Sequence, residues 1–152
     1  MNFKSVDDIL DFAIKNEEEA YEFYIALSKK TKPSIKKTFE DFAQEELKHK
    51  EMLLKIKEDG ELKPFKGKIM DLKILESLKE DEKIGNYDAI EYADALKIAM
   101  KKEKETFLFY TKLAEKMDDE NLKNTFLKLA QEEAKHKLRF EIAYDEHIYG
   151  EN

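Results

Sequence analysis

Apolar residues recur three and four positions apart along four stretches of the chain, the spacing of helices that each bury one face. The first stretch, about 5–30, carries Leu10, Ala13, Ala20, Tyr24 and Leu27 on such a stripe. The second, about 33–58, carries Phe39, Phe42, Leu53 and Ile56. The third, about 88–117, carries Tyr92, Leu96, Ala99, Thr106, Tyr110 and Leu113, and the fourth, about 120–149, carries Leu122, Phe126, Leu129, Phe140 and Ala143. Boundary residues agree with these limits. Ser5 followed by Asp8 predicts an N-cap, Pro33 fits a first helical turn, and "DDEN" at 118–121 predicts a turn that caps the last helix.

Short turns join the first stretch to the second and the third to the fourth, so each pair is expected to form an antiparallel hairpin. Residues 59–87 differ: they hold three of the four glycines and Pro64, around a short predicted helix in "IMDLKILESLKE" (69–80). A connection of that length can travel back along the molecule. The expected architecture is all-α, a four-helix bundle with one long crossover. It spans 1–152 as one domain, with hairpin one at 5–58 and hairpin two at 88–149. The same linker could instead exchange a hairpin with a second subunit.

The two hairpins are copies of one another. "TFEDFAQEELKHK" (38–50) lies over "TFLKLAQEEAKHK" (125–137) with nine of thirteen residues identical. "AIKNEEEAYEFY" (13–24) lies over "AMKKEKETFLFY" (99–110), matching at Ala, Lys, two Glu, Phe and Tyr. An approximate internal two-fold axis is therefore expected, with repeated positions as neighbours across it.

Each apolar stripe is interrupted at mid-height by a glutamate: Glu17, Glu46, Glu103 and Glu133. On the second and fourth helices a histidine follows three residues later on the same face, His49 and His136. Buried carboxylates without compensation cost several kcal/mol each, and four together repel. Two imidazolium charges cannot balance four carboxylates; two divalent ions can. Glutamate on all four helices with Glu-x-x-His on two is the ligand plan of dinuclear carboxylate sites. Oxygen and nitrogen donors without sulfur fit iron or manganese, with zinc as an alternative. A single Glu-x-x-His in a lysine-rich helix reads as a solvated face; two copies, both in register with the core stripe, read as a site. Shifting the register by one residue would substitute Glu45 and Glu132, which fall off the stripe. Tyr24 and Tyr110, seven residues after Glu17 and Glu103, are either core aromatics or hydrogen-bond donors to a ligand carboxylate. His147 lies eleven residues beyond His136, about 16 Å along the axis, and is expected at the surface.

Composition narrows the function classes. A net charge of −7 leaves no basic surface for nucleic acid. No apolar run reaches the roughly 20 residues that span a bilayer, and "MNFKSVDDIL" lacks a signal-peptide pattern, so a cytoplasmic protein is expected. Cysteine is absent, which removes disulfides, thiolate metal sites and cysteine nucleophiles.

Through Glu17–Tyr24 ("E-x-x-A-x-x-x-Y"), Glu46–His49, Glu103 with Tyr110, and Glu133–His136, nearly the whole chain resembles the rubrerythrin family of ferritin-like di-iron carboxylate proteins. The resemblance implies two iron ions, one served mainly by Glu17 and His49 and the other by Glu103 and His136, with Glu46 and Glu133 bridging. It further implies reduction of hydrogen peroxide or dioxygen with electrons from an external donor protein, in oxidative-stress defence; a homodimer, domain-swapped or not, is also expected. A ferroxidase or iron-handling role and a purely structural metal bundle are the alternatives. The chain departs from that family in two places. These 152 residues contain no cysteines for a rubredoxin domain, and Thr106 stands where full rubrerythrins carry an extra glutamate. The remaining six-ligand set is nearer to that of bacterioferritin ferroxidase centres.

Overall fold

The computed structural model describes residues 5–60 and 87–150. Four helices carry the architecture: α1 (Val6–Ser28), α2 (Pro33–Glu58), α3 (Tyr92–Glu115) and α4 (Glu120–Tyr149). The fold is an all-α ferritin-like four-helix bundle. The predicted helix at 69–80, like most of the crossover, lies outside the described residues.

Local chemistry sets the helix ends. Ser5 Oγ accepts from Asp8 N at 3.1 Å, and Asp119 Oδ1 accepts from Leu122 N at 3.0 Å, so each cap satisfies an amide that has no partner within its helix. Pro33 opens α2, where its missing N–H costs nothing. After α2, Gly60 adopts φ 61°, a left-handed geometry that glycine enters without a Cβ penalty, and its amide reaches Lys57 O. The third helix begins later than its pattern predicts. Residues Tyr87–Ala89 form a 3-10 turn, Glu91 is extended, and the α-helix starts only at Tyr92. The first helix likewise stops at Ser28 rather than near Lys30.

α1 packs chiefly on α2, and α3 on α4, as two hairpins. Side-chain bonds close the bundle between them: Asn16 to Thr106 and Tyr110 to Glu17 tie α1 to α3, while His49 to Glu132 and His136 to Glu45 tie α2 to α4. The order around the bundle is therefore α1, α2, α4, α3.

Two apolar clusters fill the interior. One gathers Leu10, Leu53, Ile56, Leu113, Phe126 and Leu129; the other gathers Phe23, Leu27, Phe39, Leu96 and Phe140. Burying each of these large side chains contributes about 1.5–3 kcal/mol. Along every helix the residues between the two clusters are the polar ones, so the polar layer is held from both ends by packed hydrocarbon. No helix among the described residues is long and apolar enough to cross a membrane.

Because the Asp119 cap is far in sequence from that layer, Asp119→Ala should cost about 1 kcal/mol of stability. Thermal unfolding of the variant should show a lower midpoint, while the number of metal ions bound stays as in the parent.

Candidate metal centre

Each of the four helices delivers one glutamate to the middle of the bundle, and α2 and α4 add a histidine one turn later on the same face. Glu17, Glu46, His49, Glu103, Glu133 and His136 each keep 2% or less of their surface exposed. Their donor atoms converge in two groups. Glu17, Glu46, His49 and Glu133 offer atoms all within 4.8 Å of one another, and so do Glu46, Glu103, Glu133 and His136. Glu46 and Glu133 belong to both. The six positions named from the sequence are thus brought together, and the two groups are related by the repeat.

The polar atoms divide into those turned outward and those turned inward. Tyr110 Oη donates to Glu17 Oε1 at 2.5 Å, and Tyr24 Oη donates to Glu103 Oε1. His49 Nε2 bonds Glu132 Oε2, and His136 Nε2 bonds Glu45 Oε2. Left without a hydrogen-bond partner are Glu17 Oε2, Glu103 Oε2, Glu46 Oε1, Glu133 Oε1, His49 Nδ1 and His136 Nδ1, one atom from each of the six residues. His49 Nδ1 lies 2.9 Å from Glu133 Oε1 and His136 Nδ1 lies 3.0 Å from Glu46 Oε1. Neither contact has hydrogen-bond alignment, so the atoms face a shared space rather than each other. Six buried, unpartnered donor atoms would be a severe defect in a core without a ligand. A pair of cations is the ligand they fit. With an Nε2 proton held by a carboxylate, each imidazole would offer an ion the Nδ1 lone pair once its second proton is displaced, as coordination requires.

Glu45 and Glu132 are the residues bonded to the site that the core stripe did not mark. They enter the sequence only as an alternative register for the glutamates of the core. In the structure they stand at the rim, each on the histidine of the opposite hairpin. The signal was present in the repeated "QEE": the residue before each core glutamate points toward the facing helix, which bears the matching histidine. The two tyrosines resolve toward their polar reading, since each spends its hydroxyl on a glutamate of the opposite hairpin. His147 is exposed, with its ring edge-on to Tyr92 at 5.0 Å, away from the cluster.

Without ions, protons must do the neutralising. Burial pushes the Glu46 and Glu133 carboxyls well above the usual carboxylate range, and the neighbouring carboxylates push further. Burial also raises Glu17, but its close neighbours Glu46 and His49, the His49 charge and the Tyr110 hydroxyl bring it below its ordinary value. Burial pulls His136 down, yet Glu103, Glu45 and Glu133 lift it to about 10. His49 is raised in the same way, against its burial, by Glu17 and Glu132. The buried tyrosines are raised well above 10 by desolvation and then by the glutamates they face, so they remain donors.

These features define a class: a ferritin-like bundle with a buried carboxylate–histidine site. The model of the rubrerythrin family matches residues 8–144, and the chain belongs to that family. It is also similar to a solved structure from Thermotoga maritima, described as a candidate ferritin-like di-iron-carboxylate protein. That similarity has 25% identity and a TM-score of 0.72, covering 97% of this chain and 99% of that one. No curated protein matches the chain significantly.

The proton positions give a pH dependence of known sign. His49, His136, Glu46 and Glu133 hold protons more tightly in the folded metal-free chain than when unfolded, so stability falls as pH rises. For the histidines the window opens near their ordinary 6.5 and for His136 extends to about 10. Calorimetry of metal-free protein should show a melting temperature that declines across this range, while the metal-loaded protein is flatter because cations replace the protons. A metal-free melting temperature that climbs through the same window would contradict the assignment.

Proposed function

We propose that the protein is a di-iron carboxylate oxidoreductase that reduces hydrogen peroxide or dioxygen with electrons from an external donor protein. The observation that carries this reading is the set of six buried donor atoms without partners, arranged as two overlapping groups that share Glu46 and Glu133. Glu17 with His49, and Glu103 with His136, would each hold one ion, and Glu46 and Glu133 would bridge the pair. Iron held there would supply two electrons to the oxidant, to be replaced by two from the external donor. Manganese or zinc would fit the same donor set. Family membership and the likeness to a di-iron-carboxylate protein support iron.

The chain's own residues prepare that chemistry. Each tyrosine occupies one oxygen of a terminal glutamate and leaves the other facing inward, where it would be available to hold an ion. Glu45 and Glu132 fix the ring plane and tautomer of the histidines, a restraint whose loss typically costs 10–100-fold in metal affinity. The two apolar clusters keep bulk water from both ends of the site, so charge within it is compensated locally. We place the reaction in the cytoplasm, in a homodimer, with peroxide or oxygen removal as its purpose.

A second reading is favoured by one observation. The six donors are near-symmetric and Thr106 stands where an additional glutamate would break that symmetry, as in an iron-oxidising centre that passes its metal on. Gel filtration separates the two, since a storage shell elutes far ahead of a dimer.

Metal analysis of anaerobically purified protein should find two iron ions per chain, and addition of peroxide or dioxygen to the reduced protein should change its visible absorbance. Protein that binds two ions yet shows no spectral change with either oxidant would leave only a structural role. Glu46→Ala and Glu133→Ala should each lose the pair, read as fewer than one ion per chain; two retained ions in both variants would refute the bridging assignment.

A further inference from the structure

The repeat keeps the six ligand positions but differs at several of their neighbours, and one of these differences places a polar pair beside the site. Thr106 follows Glu103 by one turn, about 4.5 Å along α3, and shares its buried face. Under the internal two-fold, Thr106 corresponds to Ala20 and Asn16 corresponds to Lys102. Only one side of the site therefore carries this polar pair. Asn16 Nδ2 donates to Thr106 Oγ1 at 3.0 Å, across the gap between α1 and α3.

The hydroxyl is not consumed by its own helix. Thr111 and Thr125 donate to the carbonyls of Phe107 and Asn121, four residues back, at 2.8 and 2.9 Å. Thr106 makes no such bond, and among the described residues no acceptor takes its proton. Accepting from Asn16 fixes the oxygen and leaves the proton directed elsewhere. Thr106 is 7% exposed and Asn16 is half-buried, so the pair runs from the polar layer toward solvent. It does so on the α1–α3 side, while the imidazoles and their outer carboxylates occupy the α2–α4 side.

We propose that Thr106, aimed by Asn16, is a positioning residue that donates a hydrogen bond to a small oxygen-bearing or anionic ligand bound at the centre from the α1–α3 side. Such a ligand, peroxide above all, accepts hydrogen bonds and, among the described residues, meets no other uncommitted donor on that side of the site. Glu17 and Glu103 present only acceptor oxygens there, and the Tyr24 and Tyr110 hydroxyls are already given to them. The one-sided placement further implies that the ligand sits asymmetrically between the two metal positions. This inference rests on the metal-centre reading.

The test uses azide as the probe, titrated into the iron-loaded, oxidised full chain and followed by absorbance, with metal content and melting temperature measured in parallel. Thr106→Val should retain two ions per chain and weaken azide binding about tenfold, the cost of one lost hydrogen bond. Thr106→Ser, which restores the hydroxyl, should bind within about twofold of the parent. Asn16→Leu keeps the hydroxyl but not its aim, and should weaken azide by about threefold. It carries the test if the valine variant fails to load. Azide affinity unchanged in the valine and leucine variants would overturn the proposal. So would equal weakening in the valine and serine variants, since that would mark a packing role. Failure of the underlying reading looks different: the parent protein itself would not hold two ions before any azide is added.

Discussion

Four carboxylates in a hydrocarbon interior must meet positive charge, and this requirement organises the rest of the bundle. Glu17, Glu46, Glu103 and Glu133 are as buried as the phenylalanines above and below them. Side chains alone satisfy them only halfway. Every residue of the cluster has one polar atom left inward with no partner, and in four of the six an outward atom is fixed by a tyrosine or a rim glutamate. Hydrogen bonds thus orient the site's side chains and leave their charge incomplete. A pair of ions would complete it, and metal binding would then be part of the stability of the fold.

Symmetry makes the arrangement economical. One hairpin cannot close such a site, because each terminal glutamate takes its tyrosine and each histidine takes its outer carboxylate from the other hairpin. All four of these bonds cross between the halves. The apolar clusters hold the halves in register at each end, and the polar bonds fix the height at which the repeated octets meet. Where the repeat is broken, at Thr106 and Asn16, a polar pair lies beside one side of the site alone.

Much of this was legible in the sequence because a helix converts spacing into a face. Core stripes gave the four helices, and the glutamates interrupting them at equal heights gave the cluster. What spacing could not give was the direction of the second atom of each side chain. Glu45 and Glu132 fall off the core stripe, and their contact with histidines depends on which helices are neighbours around the bundle. Whether Tyr24 and Tyr110 were packing or bonding groups depended in the same way on a partner about eighty or ninety residues away. The late start of α3 is a local matter. Apolar periodicity continues through Tyr87–Ile90, but a 3-10 turn and an extended Glu91 precede the α-helix, and periodicity does not distinguish the two kinds of turn.

The most direct measurement is an anomalous-scattering map at the iron edge, from crystals of anaerobically purified protein. Two peaks about 3.5–4 Å apart are expected. Both should contact Glu46 and Glu133, one adjoining His49 Nδ1 and the other His136 Nδ1. A well-ordered map with no peak among these six side chains, or with its metal at the protein surface, would contradict the claim that buried negative charge is balanced there by a pair of cations.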